Sequence, residues 1–293
     1  MISKYRTQFN SEFTTEKYQN FKNDMASDFD YEPSFRMAET PFFISKELKA
    51  QVTQGANEVI SFIKKNDFKE ITSKALALNK TIPNEDNHTH FLAIDFGICE
   101  ENGVIIPKLI EVQGFPSLFN FLNNNYKKLV NQYPFLKDFT PFFNNISEEV
   151  YLKTLEEIIC HNHPKENVVL LEIEPEKQNT KIDFDYCHRD LGVLPLCVTQ
   201  VIKKNNQLFY KNKAGQEIQI KRIYNRVIFD ELDQRPDLKL NFSFTDTLEV
   251  EWAGHPNWFF RISKFILPYL KGKYFIETTL LSDLKNIPED LEN

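Results

Sequence analysis

Apolar and polar residues alternate with two different periods along this chain, and each change of period marks a new element. From Ser45 to Leu78, Leu48, Val52, Ala56, Val59, Ile60 and Ile63 recur at helical spacing, which predicts a helix with one buried stripe. Asn79 to Thr89, with Pro83 and a run of Asn, Asp and His, reads as loop. The period then shortens to two. Phe91–Ile98 and Val104–Gln113 predict strands, and Asn102-Gly103 between them predicts a tight hairpin turn. Ser117–Gln132 and Glu148–Cys160 read as helices, and Val168–Ile173 as a strand of a buried parallel sheet. Further strands are expected at Leu194–Lys203, Gln207–Tyr210, Glu217–Ile220 and Ile223–Ile228, with a helix over Phe259–Leu270 despite Pro268. Residues 1–30 show no clean period and read as an arm or a frayed helix, and the tail from Ser282 is polar and acidic. This mixture predicts an α/β or α+β protein with two lobes and a weak zone near residues 130–147.

Composition narrows the function classes. With 293 residues, 41% of them hydrophobic and 27 of them Phe, the chain can bury a core without a metal or a disulfide. Its net charge is −7 and no run of Lys and Arg exceeds two, which argues against nucleic-acid binding. Four unevenly spaced cysteines with no Cys-x-x-Cys, behind an N-terminus without the apolar core of a signal peptide, predict reduced thiols and a cytoplasmic location. No stretch approaches the roughly 20 apolar residues of a membrane-spanning helix.

The hairpin carries the most informative chemistry. Leu92, Ile94, Phe96 and Ile98 share one face of its first strand, leaving Asp95 between the small residues Ala93 and Gly97 on the other. In the second strand Ile110 and Val112 are expected on one face, and Glu111 and Gln113 on the opposite one. In register, Asp95, Glu111 and Gln113 would project together. Two carboxylates and an amide oxygen suit magnesium, although the same alternation also fits a strand with one solvated face.

Asp95-Phe96, followed by Leu109-Ile110-Glu111-Val112-Gln113 with Pro116 and Ser117 after it, resembles the circularly permuted ATP-grasp enzymes, of which glutathionylspermidine synthase is one. Arg222-Ile223-Tyr224-Asn225-Arg226-Val227 is similar to a Tyr-Arg-Arg-type segment of that family, and Ser263-Lys264-Phe265-Ile266-Leu267-Pro268 to its Asn-Lys-x-x-Leu-Pro segment. The resemblance implies ATP- and magnesium-dependent joining of a carboxylate to an amine. Asp95, Glu111 and Gln113 would hold magnesium, Lys264 would contact ATP, and Arg36, Asn225 and Arg226 would face substrate. It divides the chain into an N-terminal lobe (1–135), a Rossmann-like pre-ATP-grasp domain (136–245) and the start of an ATP-grasp region (246–293). Its partners would be small-molecule carboxylates and amines, with a homodimer allowed and neither nucleic acid nor membrane. Two departures stand out. Ala93 occupies the place of an arginine that holds the transferring phosphate, and Gln113 replaces an asparagine. A second ATP lysine, leading to a glycine-rich loop, is expected beyond Leu291, so the sequence, with a low glycine count of 8, reads as an incomplete grip: a ligase, or a fragment of one that is inactive as it stands.

Two alternatives remain beside the ligase. One is a non-catalytic module that keeps the ligase architecture and binds a ligand or partner. The other is a zinc-containing structural protein using Cys160, His161 and His163, residues whose plainer reading is a histidine cluster at a helix end. His255, inside Glu251–Trp258, reads either as a general base or, more simply, as a turn residue bonded to backbone.

Overall fold

A computed structural model describes residues 2–76 and 81–284. The start of the loop expected at Asn79 and most of the acidic tail lie outside the described residues. In chain order the helices and strands are α1 (Ser3–Glu12), α2 (Thr15–Ala26), α3 (Lys46–Ile63), α4 (Phe68–Ile71), β1 (Ala93–Glu101) and β2 (Val104–Gln113). They continue as α5 (Phe119–Gln132), α6 (Glu148–Cys160), β3 (Val168–Glu172), α7 (Lys181–Leu191), β4 (Leu194–Cys197), β5 (Ile202–Lys204), β6 (Gln207–Lys211), β7 (Glu217–Ile220) and β8 (Arg222–Asn225). The last are α8 (Phe229–Asp233), β9 (Glu251–Ala253) and α9 (Asn257–Arg261). The fold is mixed α+β with several sheets. Among the described residues no helix is long and apolar enough to cross a membrane.

Contacts divide the chain into two compact units, each discontinuous in sequence: residues 1–45 with 117–254, and residues 46–116 with 255–293. These borders differ from the sequential division at 135 and 245, because packing joins segments that are distant along the chain.

The first unit is built on a parallel sheet in the order β4-β3-β8-β9. Its centre, β3, is the apolar run seen in the sequence, and Val168, Val169, Leu170 and Leu171 are all fully buried. Each stabilises the fold by about 1.5–3 kcal/mol through removal from water. The expected strand Leu194–Lys203 is two strands, since a tight turn at 198–200 ends β4 and sends β5 into a separate antiparallel sheet, β5-β6-β7. Of the two readings of the N-terminal stretch, arm or frayed helix, the structure has helix, in two pieces, α1 and α2. Phe9, Phe21 and Met25 on these helices bury against Phe121, Leu129 and Tyr133 of the α5 region and Tyr186 of α7. Thr14 caps α2 by accepting the Lys17 amide at 3.1 Å.

In the second unit the inner face of the hairpin packs with α3 and α9. Leu109, Val112, Val59, Phe62, Trp258 and Ile262 form its core, with Ile94 and Phe96 against them. Asn102 and Gly103, at φ of 52° and 79°, make the tight turn that Asn-Gly predicts. Gly55 lets α3 approach β1, since an added Cβ would lie 3.0 Å from the Phe96 ring.

Candidate functional site

β1 and β2 pair antiparallel with Asp95 opposite Glu111 and Ala93 opposite Gln113, while Phe96 stands opposite Leu109. Ile110 is therefore an extra residue, a β-bulge. The bulge reverses the alternation beyond it, so Leu109 and Val112 both point into the core while Ile110 turns outward, 53% exposed. Ile110 does not share a face with Val112 as its spacing suggests. It lies instead over Gly97, where an added Cβ would meet its Cδ1 at 3.2 Å.

The bulge leaves Asp95, Glu111 and Gln113 on one face. The Gln113 amide nitrogen donates to Asp95 Oδ2 at 3.0 Å and to Glu111 Oε1 at 2.8 Å, and so bridges the two carboxylates. Lys264 joins them, its Nζ 3.3 Å from Glu111 Oε2. Four of the seven residues singled out in the sequence thus converge in one place, although they come from three separate stretches of chain.

Lys264 is brought there by a close backbone approach. Gly114, just after β2, donates its N–H to the Ile262 carbonyl at 2.9 Å. A Cβ on Gly114 would fall 2.5 Å from the Trp258 carbonyl oxygen and 2.8 Å from Ile262 Cβ, so only glycine fits. The helix expected over Phe259–Leu270 is interrupted here. α9 ends at Arg261, the Ser263 hydroxyl accepts the Phe265 amide at 3.3 Å, and the 3-10 turns Lys264–Tyr269 follow. The capping serine and Pro268 both oppose a continuous helix.

A buried polar network fixes α9 from its other side. Arg261 donates Nε to Glu85 Oε1 at 2.9 Å and Nη2 to Glu85 Oε2 at 3.1 Å, and its Nη1 reaches the Lys69 carbonyl and the Thr72 hydroxyl. Asn257 bonds both backbone groups of Ile82 and the Glu85 carboxylate. Burial alone would raise the Glu85 pKa, but hydrogen bonds from Arg261, Asn257 and Lys69 outweigh it and hold the carboxyl below its ordinary value. His255 belongs to the same architecture. It is fully buried, its ring contacts the Pro83 carbonyl at 3.0 Å and accepts the Asn257 amide at 3.2 Å, and burial pushes its pKa down. These backbone contacts fit the reading of His255 as a turn residue.

Beside the convergent residues opens a cleft of about 560 Å³ within the second unit. Glu111, Gln113, Ser263 and Lys264 line its polar side, and Phe115, Phe259, Phe260 and Phe265 its aromatic walls. Phe115 and Phe259 meet edge to face at 5.5 Å. Lys74 also lines the cleft, a residue the sequence offered no motif to find.

The other three singled-out residues lie in the first unit. Arg36 is on an exposed loop, 81% exposed at the side chain and ion-paired to Glu39. Asn225 and Arg226, at the end of β8, are buried, and the Asn225 Oδ1 accepts the Val227 amide at 3.3 Å. Near them Glu172, at the end of β3, has its pKa pushed up to about 8 by burial, with the Ile173 amide and the Arg226 charge pulling the other way. The zinc grouping does not form. Cys160 is buried, and His163 contacts Glu251 at 3.2 Å. Among the described residues no three His, Cys, Asp or Glu side chains are grouped to hold a metal. Asp95 and Glu111 are two, and the third donor is an amide. The amide presents its nitrogen to both carboxylates, so the donors that suit magnesium as they stand are the two carboxylates, the number this ion commonly takes from protein.

No family model matches the sequence, and no curated protein does. The fold is similar to that of a glutathione synthetase-like effector. That protein, from Globodera pallida and in its apo form, aligns with a TM-score of 0.55 at 12% identity, over 87% of this chain and 64% of its own. The likeness is one of fold, and the chain spans 64% of the length of that structure.

Proposed function

We propose that this chain is an ATP- and magnesium-dependent carboxylate–amine ligase of the ATP-grasp type, with its nucleotide site in the aromatic cleft. The observation that supports this most is the meeting of Asp95, Glu111, Gln113 and Lys264 beside an aromatic-walled cleft within one unit. The similarity of fold to a glutathione synthetase-like protein agrees with it.

In this reaction a substrate carboxylate attacks the terminal phosphorus of ATP, giving an acyl phosphate and ADP. An amine then attacks the acyl carbon, forms the C–N bond and releases phosphate. Magnesium, if held by Asp95, Glu111 and Gln113, would supply positive charge against the charge developing on phosphate. Asp95 and Glu111 supply the anionic ligands. Gln113 must turn its amide about so that its oxygen, rather than its nitrogen, faces the cation. Lys264, held near Glu111 beforehand, acts on phosphate as a point charge. The phenylalanine walls take the planar base and exclude water. Arg36, Asn225 and Arg226 lie in the first unit and are given no step in this reaction.

Ala93 favours a second reading, in which the chain binds the nucleotide without transferring phosphate, because the arginine that would hold the transferring group is absent from that position. Calorimetry of ATP with the full chain tests the shared part. Wild type should bind only with magnesium present, and Asp95→Asn combined with Glu111→Gln should abolish that binding while leaving the thermal unfolding curve nearly unchanged. Equal affinity in the double variant would remove the metal site. Release of ADP in the presence of carboxylate and amine pools separates ligation from binding.

A further inference from the structure

We propose that Lys74 is a second phosphate-binding cation of this cleft, so that the phosphates of a magnesium nucleotide are held between Lys74 and Lys264 within one unit. This rests on the magnesium-nucleotide reading above and adds to it a residue that no motif contains. Lys74 is exposed and stands on a single 3-10 turn, Ser73–Ala75, immediately after α4. A surface lysine is ordinary. This one lines the same cleft as Glu111, Gln113 and Lys264, and among the described residues it makes no ion pair that would occupy it.

The turn that carries it is anchored. Thr72, just before it, is fully buried, and its hydroxyl donates to the Phe68 carbonyl at 2.8 Å and accepts from Arg261 Nη1 at 3.1 Å. Arg261 also holds the Lys69 carbonyl at 2.8 Å. One guanidinium therefore sets both α9, which leads to Lys264, and the turn that presents Lys74. Two ammonium groups lining one cleft with Glu111, which Gln113 bridges to Asp95, form a charge pattern for a magnesium-complexed polyphosphate: the carboxylates would take the cation and the lysines phosphate oxygens.

The test is calorimetry of the full chain with adenosine, AMP and ATP, each with magnesium. Lys74→Ala should weaken ATP binding about tenfold or more, as expected for loss of a charge-assisted hydrogen bond. It should leave adenosine affinity unchanged, and Lys74→Arg should restore most of the loss. Unchanged ATP affinity in Lys74→Ala, while the Asp95→Asn, Glu111→Gln variant loses binding, would remove the phosphate role of Lys74 and leave the nucleotide site standing. An equal loss for adenosine and ATP would also overturn it, since a phosphate contact cannot weaken adenosine. Failure of wild type to bind magnesium ATP would overturn both.

Discussion

Gly114→Ala perturbs the contact on which the candidate site depends. The added methyl would sit 2.5 Å from the Trp258 carbonyl oxygen and 2.8 Å from Ile262 Cβ. Neither is the far end of a flexible side chain, so β2 and α9 must move apart. Forced overpacking costs about 1–3 kcal/mol and a weakened Gly114–Ile262 hydrogen bond about 1 more, against roughly 0.4–1 regained because alanine restricts the unfolded chain. The expected net loss is about 2–3 kcal/mol. The chain has two tryptophans, Trp252 in the first unit and Trp258 at the clash itself. In a Trp252→Phe background, urea unfolding followed by Trp258 emission reports on the second unit alone. Gly103→Ala is the control, because its φ of 79° carries backbone strain but nothing lies within 4 Å of the added Cβ. A Gly114→Ala midpoint at or above that of wild type, with unchanged Trp258 emission, would refute the close-approach argument. The same variant should also bind magnesium ATP more weakly, since moving α9 carries Lys264 away from Glu111.

Two further outcomes concern the first unit. Glu172 has an ordinary value of 4.5 and is pushed up to about 8 in the fold, so between those limits the native state keeps a proton that the unfolded chain has lost. Stability should therefore fall as pH rises through that window, by at most about 1.4 kcal/mol per unit. Glu172→Gln should flatten the slope, and parallel pH profiles of the unfolding free energy would exclude this. Asp183 accepts the backbone amides of Leu118, Asn120 and Phe121 at 2.9–3.0 Å, at the start of α5, where Leu118 has a left-handed φ of 71°. Asp183→Ala should destabilise the fold by about 3 kcal/mol or more through orphaned buried donors, and Asp183→Asn by less. A thermal midpoint within a degree or so of wild type in Asp183→Ala would contradict the capping role.

What the sequence by itself determined is local. Asn102-Gly103 specifies its own turn because both residues accept positive φ, and the period-two text around it makes a hairpin wherever it packs. Val168–Leu171 announces a buried strand because an all-apolar run of that length has no polar face to give to water. The resemblance placed Lys264 among the site residues by motif, but why it lies beside Glu111 is a tertiary fact. It depends on Gly114 meeting Trp258 and Ile262, residues far away along the chain. The outward turn of Ile110 was equally illegible, since a bulge is set by what the two strands pack against and an apolar residue does not announce it. α1 and α2 lacked a clean stripe because their few large side chains are buried by α5 and α7, partners that only the folded chain supplies. Lys74 had no local signal at all. Its place in the cleft comes from Arg261 drawing together Lys69, Thr72 and Glu85, and such long-range pairing is decided by tertiary packing rather than by neighbours in sequence.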